Sequence, residues 1–355
     1  MAEKNLMYGN HATVEGVIAA GCRFFAGYPI TPQNEIPEYM SIRMNEEGGV
    51  FLQTESEIAA INMLFGAAAA GKRAMTSSSS PGISLMQEGI SYIAGADVPV
   101  LVVNVTRGGP GLGNIAPAQS DYYQATRGGG HGDYFTITLA PNSAQELFEF
   151  PKLGFELAEK YRNPVLILTD GLLGQMMEPV EFSFDPIDPR RLSEPEWALS
   201  GCKDRERRVV RSYDLRIGKL EEWNWRRFKK YEEIKKKEQR FEATGCDDAD
   251  LVIVAYGTCA RVSDAAVRMA RSNGLKVGLL RPITLWPFPT DALNGMAKRI
   301  EHFLVVEMSC GQMIDDVKLA TECRSKIHFH GRPGGGVPNP PEIYEKLAGI
   351  LGGKK

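Results

Sequence analysis

Short apolar runs alternate with longer, small-residue-rich stretches along the first half of the chain. The runs Arg23–Tyr28, Val50–Gln53, Arg73–Ser77, Val98–Val105, Thr136–Ala140 and Pro164–Thr169 have the length and composition of strands. Between them Ala12–Ala20, Glu57–Ala70, Ile83–Ala94 and Ala144–Tyr161 read as helices. This rhythm predicts a parallel sheet covered on both faces, with ligands gathering beyond the carboxyl ends of its strands. The unusual loops, Tyr28–Pro32, Ser77–Gly82 and Arg107–Gly113, all fall at those ends. A second alternation begins at Asp250: strand Leu251–Ala255, turn Tyr256–Thr258, helix Ala260–Ser272, strand Lys276–Arg281, helix Thr290–Lys298 and strand His302–Glu307. The expected organisation is α/β: a doubly wound domain over 1–195, a charged linker over 196–245 and a smaller α/β domain over 246–355. In the last, Gly334–Gly336 reads as plain loop glycines.

Composition narrows the partners. A chain of 355 residues exceeds one core, and its net charge of -3, with 43% hydrophobic and 24% charged residues, describes an ordinary globular protein. Small molecules and other subunits fit this better than nucleic acid. Only Lys203–Glu242 departs, carrying 15 of the 41 basic residues against 9 acidic ones, which makes it about +6 while the rest of the chain is -9. Trp223, Trp225, Phe228 and Tyr231 are interleaved there; a solvated, partly helical linker is favoured over RNA binding, and packing against a neighbouring subunit is compatible. Met1–Gly21 has no secretory pattern and no apolar run is long enough to span a membrane, so a cytoplasmic protein is expected. The cysteines at 22, 202, 246, 259, 310 and 323 form no C-x-x-C, and no histidines sit at zinc spacing. They read as reduced core residues, and no metal or iron–sulfur site is expected within this chain.

Candidate chemistry starts with Glu57. It closes T-E-S-E (54–57) and opens a stretch with no charged side chain until Lys72. A carboxylate there is a solvated first-turn residue or one that answers a specific partner, since burying it unpaired is costly. Thr106–Gly113, T-R-G-G-P-G-L-G, lets backbone approach a ligand while Arg107 offers a fork for a carboxylate, although a structural glycine loop reads equally well. It matches neither a dinucleotide fingerprint nor a phosphate loop. Ser77–Gly82, S-S-S-S-P-G, aims amides and hydroxyls above the sheet, but no G-x-S-x-G elbow supports a serine hydrolase. His131, in G-G-G-H-G-D (128–133), reads as loop punctuation ahead of catalysis. No G-D-G is present; Asp170–Gly171 follows Thr169.

Taken together, G-Y-P-I-T-P (27–32), T-E-S-E-I-A-A-I (54–61), T-S-S-S-S-P-G (76–82), R-G-G-P-G (107–111), G-G-H-G-D (129–133) and D-G-L-L-G-Q (170–175) resemble the alpha subunit of 2-oxoacid:ferredoxin oxidoreductases. Met75–Ala96 is most similar to the 2-oxoisovalerate, branched-chain type, with the 2-oxoglutarate type close and pyruvate a further alternative. The resemblance implies a thiamine-diphosphate-binding, pyrimidine-type domain followed by a transketolase C-terminal-like domain. It implies that Glu57 contacts the aminopyrimidine and favours its imino tautomer, that Thr31 and Arg107 receive the substrate carboxylate, that Tyr28 and Pro29 line the cofactor, and that Ser79 and Ser80 line the substrate. It further implies oxidative decarboxylation with coenzyme A, giving acyl-CoA, CO₂ and reduced ferredoxin. A beta subunit would hold the diphosphate, Mg²⁺ and a [4Fe–4S] cluster that this chain does not ligate, with gamma and ferredoxin-like delta subunits in some members. A carboligase using the same cofactor and a non-catalytic scaffold subunit are the competing readings.

Overall fold

A computed structural model of the chain describes residues 4–352. In chain order the first part comprises β1 (Lys4–Tyr8), α1 (Gly9–Ala19), β2 (Phe24–Gly27), α2 (Glu35–Glu46), β3 (Val50–Gln53), α3 (Glu57–Ala69), β4 (Ala74–Ser78), α4 (Ser80–Gly95), β5 (Val100–Thr106), α5 (Tyr122–Arg127), β6 (Ile137–Leu139), α6 (Ala144–Tyr161), β7 (Pro164–Asp170), α7 (Gly171–Gln175) and β8 (Met177–Glu181). After them come α8 (Lys219–Lys237), β9 (Phe241–Thr244), β10 (Leu251–Val254), α9 (Gly257–Ser272), β11 (Val277–Pro282), β12 (Thr284–Trp286), α10 (Thr290–Ala297), β13 (His302–Glu307), α11 (Met313–Ala320), β14 (Lys326–Gly331) and α12 (Pro340–Leu351).

The six runs expected as strands, joined by β12, form the main seven-stranded sheet, in the order β12-β6-β7-β5-β4-β2-β3. All are parallel except β12, which crosses from the second half of the chain to pair antiparallel with β6. The central strands β5 and β7 are buried at every position, which is why they read as near-continuous apolar runs. Strand order reverses between β2, which leads outward to β3, and β4, which leads inward to β5. The loops after β2 and β4 therefore diverge from a topological switch point, the usual ligand position in open α/β sheets.

The second sheet has the order β14-β13-β10-β11-β9, with β9 antiparallel. It docks on the first part through buried polar contacts. Arg281, 2% exposed, places both terminal nitrogens 2.6 Å from the Glu146 carboxylate. Gln119 donates to the Tyr256 carbonyl (2.9 Å) and accepts from the Met308 amide (3.0 Å), and Thr258 donates to Asp170 (3.0 Å).

The basic stretch departs from the solvated linker expected of it. Helix α8 lies on the first part with Arg227, Tyr231 and Ile234 buried. Tyr231 meets the stacked rings of Phe135 and Trp286 edge-on. Arg226 and Lys230 converge on Asp97 at 3.1 and 2.9 Å, and burial lowers the Lys230 pKa. A single acidic loop residue thus answers charges that looked solvent-directed in the sequence. The cysteines also divide: Cys22, Cys246 and Cys259 are buried as expected, whereas Cys202, Cys310 and Cys323 are exposed.

Candidate functional site

Thr54 fixes the end of β3. Its hydroxyl lies 3.2 Å from the Gly27 carbonyl and 2.8 Å from that of Ser56, and Ser56 in turn caps α3 by accepting from the Ala59 amide (3.2 Å). This brings the first residue of α3 to the switch point. Of the two glutamates in T-E-S-E, Glu55 is exposed and Glu57 is only 5% exposed. Among the described residues nothing hydrogen-bonds or pairs with the Glu57 carboxylate. It lies instead against α4: a Cβ on Gly82 would meet Glu57 Oε1 at 2.4 Å and Ser78 Oγ at 2.0 Å. Only glycine leaves room for the acid there.

The serine loop supplies the opposite wall. Helix α4 starts at Ser80, earlier than the Ile83 expected, so Ser80 and Gly82 belong to its first turn. Ser77 donates to Gln33 (2.6 Å), which donates to the Tyr28 carbonyl (3.2 Å), tying the loops after β2 and β4 together. Ser78 and Ser79 are buried, yet their hydroxyls have no partner. Buried unsatisfied hydroxyls are uncommon in native proteins and call for an explanation. Tyr28 and Pro29 are exposed at the rim.

Arg107 differs from the free fork expected of it. Its terminal nitrogens donate to the carbonyls of Thr31 (2.9 Å) and Leu112 (3.1 Å), and its amide donates to Ser80 Oγ (3.0 Å). Arg107 is 7% exposed, its Nε has no partner, and no carboxylate pairs with it among the described residues. A buried cation bonded only to neutral carbonyls keeps a charge that no group among the described residues balances. Thr31, Ser80 and Arg107 are thus directly linked, and Glu57, Ser78, Ser79 and Gly82 form the adjoining cluster.

Two supporting residues escaped the sequence reading. Asn104 accepts from the Ser80 amide (3.1 Å) and donates to Asp121 (2.8 Å), whose carboxyl burial pushes up against the pull of Ser80 and Asn104. Its signal was present as the one amide in the apolar run of β5. Gln33 had none beyond following the T-P pair. His131 is exposed and outside the cluster. Asp170 caps α7 through the Leu172 and Leu173 amides and tethers Thr258; burial raises its pKa.

The site thus lies in a doubly wound α/β domain, with an acid and orphan hydroxyls at its switch point. The thiamine-diphosphate-binding domain model of pyruvate flavodoxin/ferredoxin oxidoreductases matches residues 15–208, and the core domain II model of pyruvate:ferredoxin oxidoreductase matches 249–343. The ketoisovalerate oxidoreductase subunit VorB of Methanothermobacter thermautotrophicus is 47% identical, covering 98% of both chains. The 2-oxoglutarate synthase subunit KorA of Methanothermobacter marburgensis is 37% identical over 99% of this chain and 100% of its own. A solved 2-oxoglutarate:ferredoxin oxidoreductase from Magnetococcus marinus, with 2-oxoglutarate, coenzyme A and succinyl-CoA bound, superposes with a TM-score of 0.85 at 27% identity, covering 99% of this chain and 66% of that one. The chain belongs to the thiamine-diphosphate-dependent 2-oxoacid:ferredoxin oxidoreductase family, as one subunit of a multi-subunit enzyme.

Proposed function

We propose that this chain is the pyrimidine-binding alpha subunit of an oxidoreductase that decarboxylates a branched-chain 2-oxoacid, 2-oxoisovalerate, to acyl-CoA, CO₂ and reduced ferredoxin. The observation that carries the reading is the Glu57 side chain, 5% exposed and without a hydrogen-bond partner among the described residues, set against Gly82 and the orphan hydroxyl of Ser78. This donor and acceptor set suits the polar edge of an aminopyrimidine. When bound, thiamine diphosphate supplies the electron sink for decarboxylation. The chain contributes Glu57 to hold or share a proton at a ring nitrogen, and the buried Arg107, with Thr31 beside it, to receive the substrate carboxylate. Tyr28 and Pro29 form the outer cofactor wall, and Ser79 and Ser80 the substrate wall.

The reading needs a second polypeptide. The chain has no G-D-G, and among the described residues no cluster of three His, Cys, Asp or Glu could hold a metal ion. A beta subunit then carries the diphosphate, Mg²⁺ and the [4Fe–4S] cluster, with gamma and delta subunits as possible additions. Helix α3 leaves Ile58 and Met63 exposed, and α4, packed against it, leaves Leu85 and Tyr92 exposed, apolar side chains available to such a subunit. The reading keeps a pyrimidine-binding domain at 1–195, the α8-bearing linker at 196–245 and the second domain at 246–355. The expected compartment is the cytoplasm; no described helix is long and apolar enough to cross a membrane.

Two observations favour the branched-chain substrate. Identity to the ketoisovalerate subunit exceeds that to the 2-oxoglutarate subunit. The loop beyond Arg107 presents Leu112 and Ile115, 80% and 64% exposed, and carries no lysine or arginine from 108 to 117 to receive a second carboxylate. Rates of the assembled enzyme on 2-oxoisovalerate, 2-oxoglutarate and pyruvate test this. A kcat/KM for 2-oxoisovalerate at least about tenfold above the others is expected, the scale on which an apolar pocket discriminates. Preference for 2-oxoglutarate would reassign the substrate.

A further inference from the structure

Asn114 sits in the loop that carries Arg107, yet its own contacts reach the second domain. Its amide nitrogen donates to the Gly108 carbonyl (2.8 Å) and its Oδ1 accepts from the Ala116 amide (3.0 Å), folding residues 108–116 back on themselves. Gly108 also donates to the Ala116 carbonyl (2.9 Å), and Arg107 forms a bridge with Pro117. Because Leu112, inside this loop, accepts from Arg107, the shape of the loop sets where the guanidinium lies. The remaining donor of Asn114, Nδ2, reaches the Gly334 carbonyl of the second domain at 3.0 Å.

The glycines at 334–336 take their meaning from this contact. Gly335 has φ +95, and a Cβ there would stand 2.6 Å from the Ala116 Cβ and 3.3 Å from Asn114 Nδ2. The segment that read as plain loop glycines is therefore a close-fitting brace against residues 114–116. Asn114 is itself solvent-exposed, so replacing it leaves the core of either domain intact.

We infer that Asn114 is a positioning residue through which the second domain, by its 334–336 glycine loop, holds Arg107 where it receives the substrate carboxylate. This rests on the assignment of Arg107 made above. The two act in sequence: the Asn114–Gly334 bond fixes the loop, and the loop carbonyl at Leu112 fixes the guanidinium.

The test compares Asn114→Ala, Gly335→Ala and Arg107→Lys in the assembled enzyme, with kcat and KM for the 2-oxoacid and exchange of the cofactor C2 proton as readouts. Asn114→Ala and Gly335→Ala, one from each domain, are expected to raise KM about three- to tenfold, the scale of one or two lost hydrogen bonds. Saturated kcat and the rate of proton exchange should stay near wild type, a split that general destabilisation does not produce. Unchanged KM in both variants, or a fall in kcat at constant KM, would overturn the inference while leaving Arg107 in place. If Arg107→Lys also leaves KM unchanged, the carboxylate assignment itself fails.

Discussion

Two buried glutamates of this molecule, one ending a strand and one opening a helix, are treated in opposite ways. Glu307, at the end of β13, is 0% exposed and accepts from the amides of Gln312, Met313 and Ile314 and from the Ser309 hydroxyl. Its charge is absorbed by the first turn of α11 and the residues just before it. Burial still pushes its pKa up, against the pull of those donors. Glu57, at the start of α3, is nearly as buried and has no partner among the described residues. One carboxylate is satisfied within the fold; the other has no partner among the described residues. The difference lies in geometry: the chain after β13 curls back to aim amides at Glu307, whereas Ser56 takes over capping of α3 and leaves Glu57 free.

Replacing each acid by its amide breaks the comparison most sharply. Glu57→Gln should lower kcat and cofactor C2 exchange by at least about 10²-fold, the contribution of a positioned acid–base group. The same variant should keep or raise the urea midpoint of the isolated chain, because an unpaired buried carboxylate is gone. Glu307→Gln should do the reverse, losing roughly 2–3 kcal/mol of stability as charge-assisted bonds are lost and a donor faces donors. Near-normal turnover by Glu57→Gln would remove the basis of the functional reading.

A smaller effect is expected at Gly82. Alanine there would meet Glu57 Oε1 at 2.4 Å, so kcat should fall about tenfold with only a modest loss of stability. Gly349→Ala, which meets nothing within 4 Å, is the matched control in a helix that touches no site. Equal kinetics for the two variants would show that Gly82 does not shape the position of the acid.

The smallest effect is a pH trend. Asp121, Asp170 and Glu307 all have folded pKa values raised by burial. Between about pH 4 and those raised values the folded chain holds protons that the unfolded chain has released. Their contribution is therefore full below pH 4 and declines as pH rises through the folded values. Peripheral acids run the other way: Asp188, held down to about 2 by Arg190, loses its contribution as pH falls. Urea midpoints across pH 4 to 7 should fall less steeply in Asp170→Asn than in the wild type, and an identical slope would show that Asp170 does not contribute to the trend.

How much was legible depended on what each residue's neighbours in sequence could reveal. Strands β5 and β7 announced themselves because burial on both faces demands apolar residues at every position. Edge strand β14, K-I-H-F-H-G, is partly exposed and left no such run, and β12 is three residues long; neither was expected. Helix α2, E-I-P-E-Y-M-S-I-R-M-N-E, hid behind Pro37 and its charges. Glu57 stood out because a charge beside a long uncharged stretch is conspicuous in one dimension. Gln119, which bonds to residues 137 and 189 positions away, could not stand out.

The sequence alone determined the α/β rhythm and the strand-end loops and drew attention to Glu57, since each follows from local periodicity or from a local cost. The tertiary structure decided which polar groups are satisfied. It placed Glu307 among amides and left Glu57, Ser78 and Ser79 without partners, seated Arg107 on the Thr31 and Leu112 carbonyls, and brought Gly335 against Ala116. Hydrogen-bond satisfaction is a property of neighbours in space, and those neighbours come together only when both sheets are folded and docked.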